Sequence, residues 1–185
     1  MKSLVFYEST GGNTEKVAQR ISRTLDSIPG NETDLIKLSP EIEIDFFQYD
    51  LVFLGSPVVA ALPTQSMMDC IKRHHKLYVK QDKIVPSSPL LPGKYGICFC
   101  TYAGPHIGMG EALPATMLMR SFLEHIGYSV LDQWHTLGEF HNRHDLSTQG
   151  RMGNILGRPN ENDLLDIENR VKGVLNSLGE TINKV

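Results

Sequence analysis

The chain has three cysteines, one tryptophan and no long apolar run. An odd number of cysteines provides no disulfide framework, and Cys98 and Cys100 are interpreted as buried apolar side chains in a reducing compartment. No apolar stretch approaches the length of a membrane span, and the run after Lys2 is shorter than the apolar part of a signal peptide. We therefore expect a cytoplasmic protein with no membrane partner.

Strong charge of either sign is also lacking, since the formal net charge is −3. Such a charge creates no strong field for nucleic acid, so no nucleic-acid partner is expected. The 185 residues are 41% hydrophobic, which is ordinary for one globular domain. The chain is therefore predicted to form a single domain over residues 1–185.

Several catalytic and metal-binding motifs are missing. The first glycine-rich loop has no lysine of the kind that a P-loop nucleotidase needs. The third predicted strand ends in Leu54-Gly55-Ser56 without the carboxylate that a receiver domain needs. The seven histidines show no zinc spacing with cysteine, and the adjacent His74 and His75 would point about 100° apart on a helix. No metal site is expected.

The most informative stretch is residues 4–17, where four apolar or aromatic residues lead into a double-glycine turn and then a helical pattern. A short apolar run of this kind is typical of a buried parallel strand. Gly11 and Gly12 let backbone N–H groups converge at the helix start, where the dipole is positive. This pattern predicts a phosphate site without lysine or arginine, although an ordinary capped helix remains an alternative.

The rest of the chain alternates predicted strands with predicted helices. The strands are predicted at 33–38, 50–55, 95–101 and 129–137, and the helices at 17–28, 66–77, 111–126 and from near 160, ending with Leu178 and Ile182. This order predicts an α/β fold, a three-layer doubly wound parallel sheet with helices on both faces. Ligands bind such sheets beyond the carboxyl ends of the strands. Loops 8–14, 55–63 and 101–111 are expected to meet there.

These loops resemble those of the flavodoxin-like family. Glu-Ser-Thr-Gly-Gly-Asn-Thr is similar to its phosphate loop, Gly-Ser-Pro-Val-Val to its second loop, and Thr-Tyr-Ala-Gly-Pro to its third flavin loop. The resemblance covers almost the whole chain in the right order. It implies a five-stranded sheet of order 2-1-3-4-5 and bound FMN.

The resemblance also implies which residues contact the cofactor. The expected phosphate contacts are Ser9, Thr10, Gly11, Gly12, Asn13 and Thr14. The expected contacts on one side of the flavin ring are Ser56, Pro57, Val58 and Val59, and those on its other side and edge are Thr101, Tyr102, Ala103 and Gly104. Tyr102 is expected to stack on the ring.

The chain departs from the family pattern at three points. Gly11 stands where a threonine is usual, so one hydroxyl donor is missing. Val58 and Val59 stand where many small flavodoxins have a tryptophan, which leaves one ring face open to a hydride donor or substrate. A charge of −3 also gives little steering toward basic partners.

Two further regions are weaker candidates for function. His106 lies in the third loop and is a weak candidate for a catalytic acid, the alternative being a solvated side chain. Residues 138–160 are predicted to form an extended loop, long enough to suggest a role. Glu139, His141, Asn142 and Arg143 could close over the site or contact a partner, and Arg143, Arg151 and Arg158 could bind the phosphate of a nicotinamide cofactor. A solvated loop is the simpler interpretation.

The favoured function is an FMN-binding electron carrier that docks on a redox partner protein. The alternative is an NAD(P)H-dependent flavin oxidoreductase that takes hydride from a nicotinamide cofactor and reduces a quinone or a similar small acceptor. The carrier is preferred because no dinucleotide fingerprint is present and one small domain has limited room for a second large ligand. A homo-oligomer remains open.

Overall fold

A computed structural model of the chain describes the backbone of residues 1–182 and the side chains of residues 1–179. Strands and helices alternate along the described residues. The strands are β1 (Lys2–Tyr7), β2 (Glu32–Lys37), β3 (Leu51–Pro57), β4 (Tyr95–Tyr102) and β5 (Ser129–Leu137). The helices are α1 (Asn13–Asp26), α2 (Gln65–Lys80), α3 (Leu113–His125), α4 (His144–Thr148) and α5 (Glu161–Ile182), and short 3-10 turns span Phe46–Gln48 and Gly108–Glu111.

The five strands form one parallel sheet in the order β2-β1-β3-β4-β5. The predicted fold class and strand order are therefore confirmed. The most polar strand, β2, lies at an edge, where half-exposed positions tolerate polar side chains. The central strands β1 and β3 are almost fully buried, as their continuous apolar sequences predict.

Helices cover both faces of the sheet. On one face, α1 and α5 pack over β1, β3 and β4 through Ile21 and Val171, both fully buried, and Trp134 joins this layer as a core side chain. Arg20 of α1 forms ion pairs with Glu161 and Glu168 of α5. The other face is covered by α2 and α3, whose buried side chains form one large apolar cluster with side chains of the sheet. Ile182, predicted to extend the apolar stripe of α5, has its side chain outside the described residues.

The helix boundaries differ from the sequence prediction by one to four residues, and two of these shifts follow from side-chain contacts. The helix α2 runs to Lys80, three residues beyond the predicted end, because Tyr78 is buried and its hydroxyl contacts the backbone near Phe46. The helix predicted from Glu111 begins at Leu113 instead. The Glu111 carboxylate accepts the N–H groups of His106 and Ile107, which keeps this residue in the preceding turn.

The segment 138–160 was predicted as an extended loop, but it contains the short helix α4. Its Ser147 is fully buried and fixes the segment through hydrogen bonds between Ser147 Oγ and the backbone of Phe140. In residues 1–182, no helix is long and apolar enough to cross a membrane.

Candidate functional site

The loops after β1, β3 and β4 meet at the carboxyl edge of the sheet around a cavity of about 360 Å³. This meeting follows from the topology, because parallel strands end at the same edge. The residues that line the cavity are Ser9, Thr10, Gly11, Asn13, Thr14, Pro57, Val58, Val59, Thr101, Tyr102, Ala103, Gly138, Glu139, Phe140 and His141.

The hydroxyl oxygen of Ser9 organises the first loop. It accepts the N–H of Gly12 at 3.1 Å and the N–H of Glu15 at 3.2 Å, so one side chain holds both the turn and the first turn of α1. Gly12 has φ +89°, a left-handed conformation in which glycine costs little. The loop is thereby curled around the start of α1.

The same loop presents backbone donors. Among the described residues, no hydrogen-bond acceptor contacts the N–H groups of Thr10, Gly11, Asn13 and Thr14, and these four residues line the cavity. The first N–H groups of a helix lack intrahelical partners, and the helix dipole makes this end positive. No lysine or arginine lines the cavity. This arrangement suits an anion held mainly by the backbone.

Asn13 and Thr14 connect the first loop to its neighbours. The Thr14 hydroxyl lies 2.7 Å from the Thr101 hydroxyl, which links the first and third loops inside the protein. The Asn13 Nδ2 donates to the Glu139 carbonyl at 3.0 Å. The buried Oδ1 of Asn13 has no hydrogen-bond partner among the described residues, so it can accept from a ligand hydroxyl.

The second loop contributes an apolar wall. Val59 is 55% exposed and, with Pro57 and Val58, lines the cavity. Ser56 does not line it. This residue is fully buried, and its hydroxyl accepts the N–H of Thr64 at 3.2 Å. The Ser56 side chain therefore holds the second loop in place.

The third loop lines the cavity through Thr101, Tyr102 and Ala103. Tyr102 is only 6% exposed, and burial raises the pKa of its hydroxyl. The side chain packs in a small cluster, so little of its ring surface is available for stacking. Gly104 lies outside the cavity lining and has φ +57°; a β-carbon there would lie 2.7 Å from the Gly108 carbonyl oxygen.

Three further sequence candidates, besides Ser56 and Gly104, lie outside the cavity lining. Gly12 does not line the cavity, although its N–H shapes the loop that does. His106 is exposed and does not line the cavity; its described contact is the backbone N–H to the Glu111 carboxylate. Arg143 forms an ion pair with Asp145 and does not line the cavity.

A fourth segment, Gly138–His141, lines the cavity and was largely missed from the sequence. The sequence indicates Glu139 and His141 only as possible covering or partner-contacting residues, and its pattern does not point to Phe140, which is 44% exposed. The segment is held by the bond from Asn13 and by the Gly157 N–H, which donates to the Glu139 carboxylate at 2.8 Å. Its position directly after the last strand was the available signal, because that strand ends at the same edge.

Other titratable groups lie away from this cavity. Burial lowers the pKa of His74 on α2, and desolvation raises the pKa of Cys70 to about 11. No group of three or more potential metal-ligating side chains occurs within the part of the chain that is described. All three cysteines are buried and free.

Comparison with known proteins adds family information. Residues 4–85 match the family model of the flavodoxin domain. Comparison with curated protein sequences gives no match.

Solved structures of similar fold extend the comparison to the whole chain. A flavodoxin from the domain Archaea has a TM-score of 0.62 and 18% identity over 97% of this chain and 99% of its own. Flavodoxin 1 from Bacillus cereus has a TM-score of 0.65 and 16% identity over 93% and 95%. A rubredoxin oxygen:oxidoreductase from Desulfovibrio gigas has a TM-score of 0.60 and 15% identity over 98% of this chain but 37% of its own.

The match of residues 4–85, the strand order and these neighbours confirm the resemblance inferred from the three loops. Residues 4–85 match the flavodoxin domain, and the described residues of the chain have the flavodoxin-like fold.

Proposed function

We propose that the cavity binds FMN and that the protein is an electron carrier. The observation that carries the proposal is the curled first loop at the positive end of α1, where four N–H groups have no hydrogen-bond acceptor among the described residues. A phosphate placed there needs no cationic side chain, because oriented N–H groups and the helix dipole supply the attraction. Ser9, Thr10, Gly11, Asn13 and Thr14 would hold it.

The remainder of the cavity suits the rest of FMN. The Asn13 Oδ1 offers an unpaired acceptor to a ribityl hydroxyl. Val59 and Phe140 offer exposed apolar surface to a large flat ring, and the partly buried Val58 and Ala103 line the same cavity. A volume of about 360 Å³ lies within the range of about 300–1,000 Å³ typical of small-molecule sites.

FMN, when bound, supplies reversible acceptance and release of electrons. The residues around the cavity would bind, orient and shield the flavin. Their only ionisable side chains, besides the weakly acidic Tyr102, are Glu139 and His141. These two belong to the segment that packs beside the first loop, at the proposed phosphate end. At that end neither would lie beside the reacting part of the flavin ring, which favours a carrier.

Exposed apolar side chains of the third loop and of α3 would supply a surface for a redox partner protein. Ile107, Met109, Leu113 and Met117 are each 44–58% exposed, and Val59 and Phe140 are exposed at the cavity itself. Because the net charge of −3 gives little electrostatic steering, we infer that a partner docks mainly through apolar contacts. The free buried cysteines favour a reducing compartment such as the cytoplasm.

The carrier is tested against the oxidoreductase by anaerobic reduction of the flavin-loaded protein. The oxidised flavin absorbance should persist when NADPH or NADH is added alone and bleach when dithionite is added. Rapid bleaching by either nicotinamide cofactor without a partner reductase would contradict the carrier and favour the NAD(P)H-dependent oxidoreductase.

A further inference from the structure

The space beside Gly11 is occupied by a side chain from the far end of the sequence. A β-carbon built on Gly11 would lie 2.7 Å from His141 Nε2 and closer still to His141 Cδ2. Atoms of adjacent side chains do not approach a real β-carbon this closely, so any larger residue at 11 displaces the imidazole. Gly11 does not have the left-handed φ that would by itself require glycine. The imidazole occupies the space that a side chain at position 11 would need, so glycine is the residue that fits here.

The position of His141 is set by the contacts of its segment. The preceding residues are fixed by the Asn13 bond to the Glu139 carbonyl and by the Phe140 N–H, which donates to Ser147 Oγ at 2.9 Å. The Nδ1 of His141 lies 3.8 Å from the Glu139 carboxylate. This leaves Nε2 as the ring nitrogen that lies against the first loop.

His141 is the only side chain lining the cavity that can carry a positive charge. Its imidazole also lies beside Gly11, a position of the first loop that has no side chain. An imidazole N–H is a good donor to an anionic oxygen, and a hydrogen bond to a charged group is worth more than one between neutral groups.

We propose that His141 Nε2 donates a hydrogen bond to the FMN phosphate and thereby makes the site selective for FMN over riboflavin. This inference rests on the proposed function. Gly11 is required because its missing side chain makes room for the ring. His141 is thus a specificity-determining residue for the phosphorylated form of the flavin.

The test measures the dissociation constants of FMN and of riboflavin for the wild type and for His141→Ala. Loss of a hydrogen bond to a charged group should weaken FMN binding about 10- to 100-fold. Riboflavin binding should change by less than about twofold, because riboflavin lacks the phosphate. His144→Ala is the matched control: His144 is exposed on the same segment, does not line the cavity and should leave both constants unchanged.

A second pair of variants tests the role of Gly11. Gly11→Ala should displace the ring and weaken FMN binding about as much as His141→Ala. In the Gly11→Ala background, His141→Ala should then have little further effect, because neighbouring groups that act together are not additive. Circular dichroism and thermal midpoints establish that each variant is folded.

Three results would overturn the inference. His141→Ala could weaken FMN and riboflavin equally, it could leave FMN binding intact, or its effect could be the same with glycine or alanine at 11. If the wild type binds neither flavin, the proposed function fails as well, and this outcome is distinct from the other three.

Discussion

At the scale of single residues, the first loop depends on one hydroxyl group. Ser9 Oγ accepts two N–H groups, those of Gly12 and Glu15, and no other described side chain holds this turn to the start of α1. The residue type was predictable as part of a phosphate loop. Its internal role was not, because the sequence does not show whether a hydroxyl contacts the ligand or the backbone.

The Ser9→Ala change should weaken FMN binding about tenfold or more. Two hydrogen bonds worth about 1 kcal/mol each are lost, and the curled loop becomes less ordered. Fluorescence titration with FMN measures the change. Ser66→Ala on α2, which lies outside the cavity lining, is the control and should have no effect. Equal affinities for Ser9→Ala and the wild type would contradict this role.

The buried His74 should make stability depend on pH. Burial lowers its pKa in the folded chain below the ordinary value of 6.5, so below about pH 6.5 the unfolded chain binds a proton that the folded chain does not. The free energy of unfolding should therefore be constant above this pH and fall as the pH drops below it. Burial lowers the pKa of His135 as well, with the same sign.

Urea unfolding at pH 7.5 and at pH 5.5 tests this expectation. The wild type should lose stability at the lower pH, and His74→Phe, which keeps an aromatic ring beside Phe46, should lose less. An identical loss in the wild type and in the variant would show that His74 does not contribute.

At the scale of elements, the sequence was most informative where one face or both faces of an element are buried. The apolar runs of β1, β3 and β4 predicted buried parallel strands, and all three lie in the middle of the sheet. The sequence predicts that this strand ends at Gly55, but β3 continues to Pro57. The ring of Phe99 on the neighbouring strand covers Gly55 where a β-carbon would lie, and such a cross-strand contact is invisible to a single segment.

The helix α4 was missed for a similar reason. It is five residues long, too short for helical periodicity to show, and its buried residue is Ser147 rather than an apolar one. The later start of α3 at Leu113 depends on the side chain of Glu111 closing the preceding turn. Both features depend on side-chain hydrogen bonds that the residue pattern does not encode.

The apolar stripe of α5 makes a prediction at this scale. Ile167 is 2% exposed and packs in the layer shared with α1, whereas Leu165 on the same helix is 49% exposed. Ile167→Ala should lower the free energy of unfolding by about 2–5 kcal/mol, because it creates a cavity. Leu165→Ala should change it by about 0.5 kcal/mol or less. Denaturant unfolding compares the two, and similar costs would contradict the assigned packing of α5.

At the scale of the whole molecule, the site arises from topology. Three loops that are far apart in sequence meet because their parallel strands end at one edge, and this much followed from the order of elements. The fourth segment joins them through the Asn13 side chain and the Glu139 carbonyl, which are 126 positions apart. A contact of that separation cannot be read from local patterns, which explains why Phe140 was missed and His141 was undervalued.

Titration of the flavin-free protein with FMN, followed by the quenching of flavin fluorescence, tests the central claim most directly. Saturation is expected at one FMN per chain, with a dissociation constant in the micromolar range or below, and the protein should stay yellow after dialysis. Fluorescence that remains unquenched in the presence of excess protein, with all flavin removed by dialysis, would contradict it.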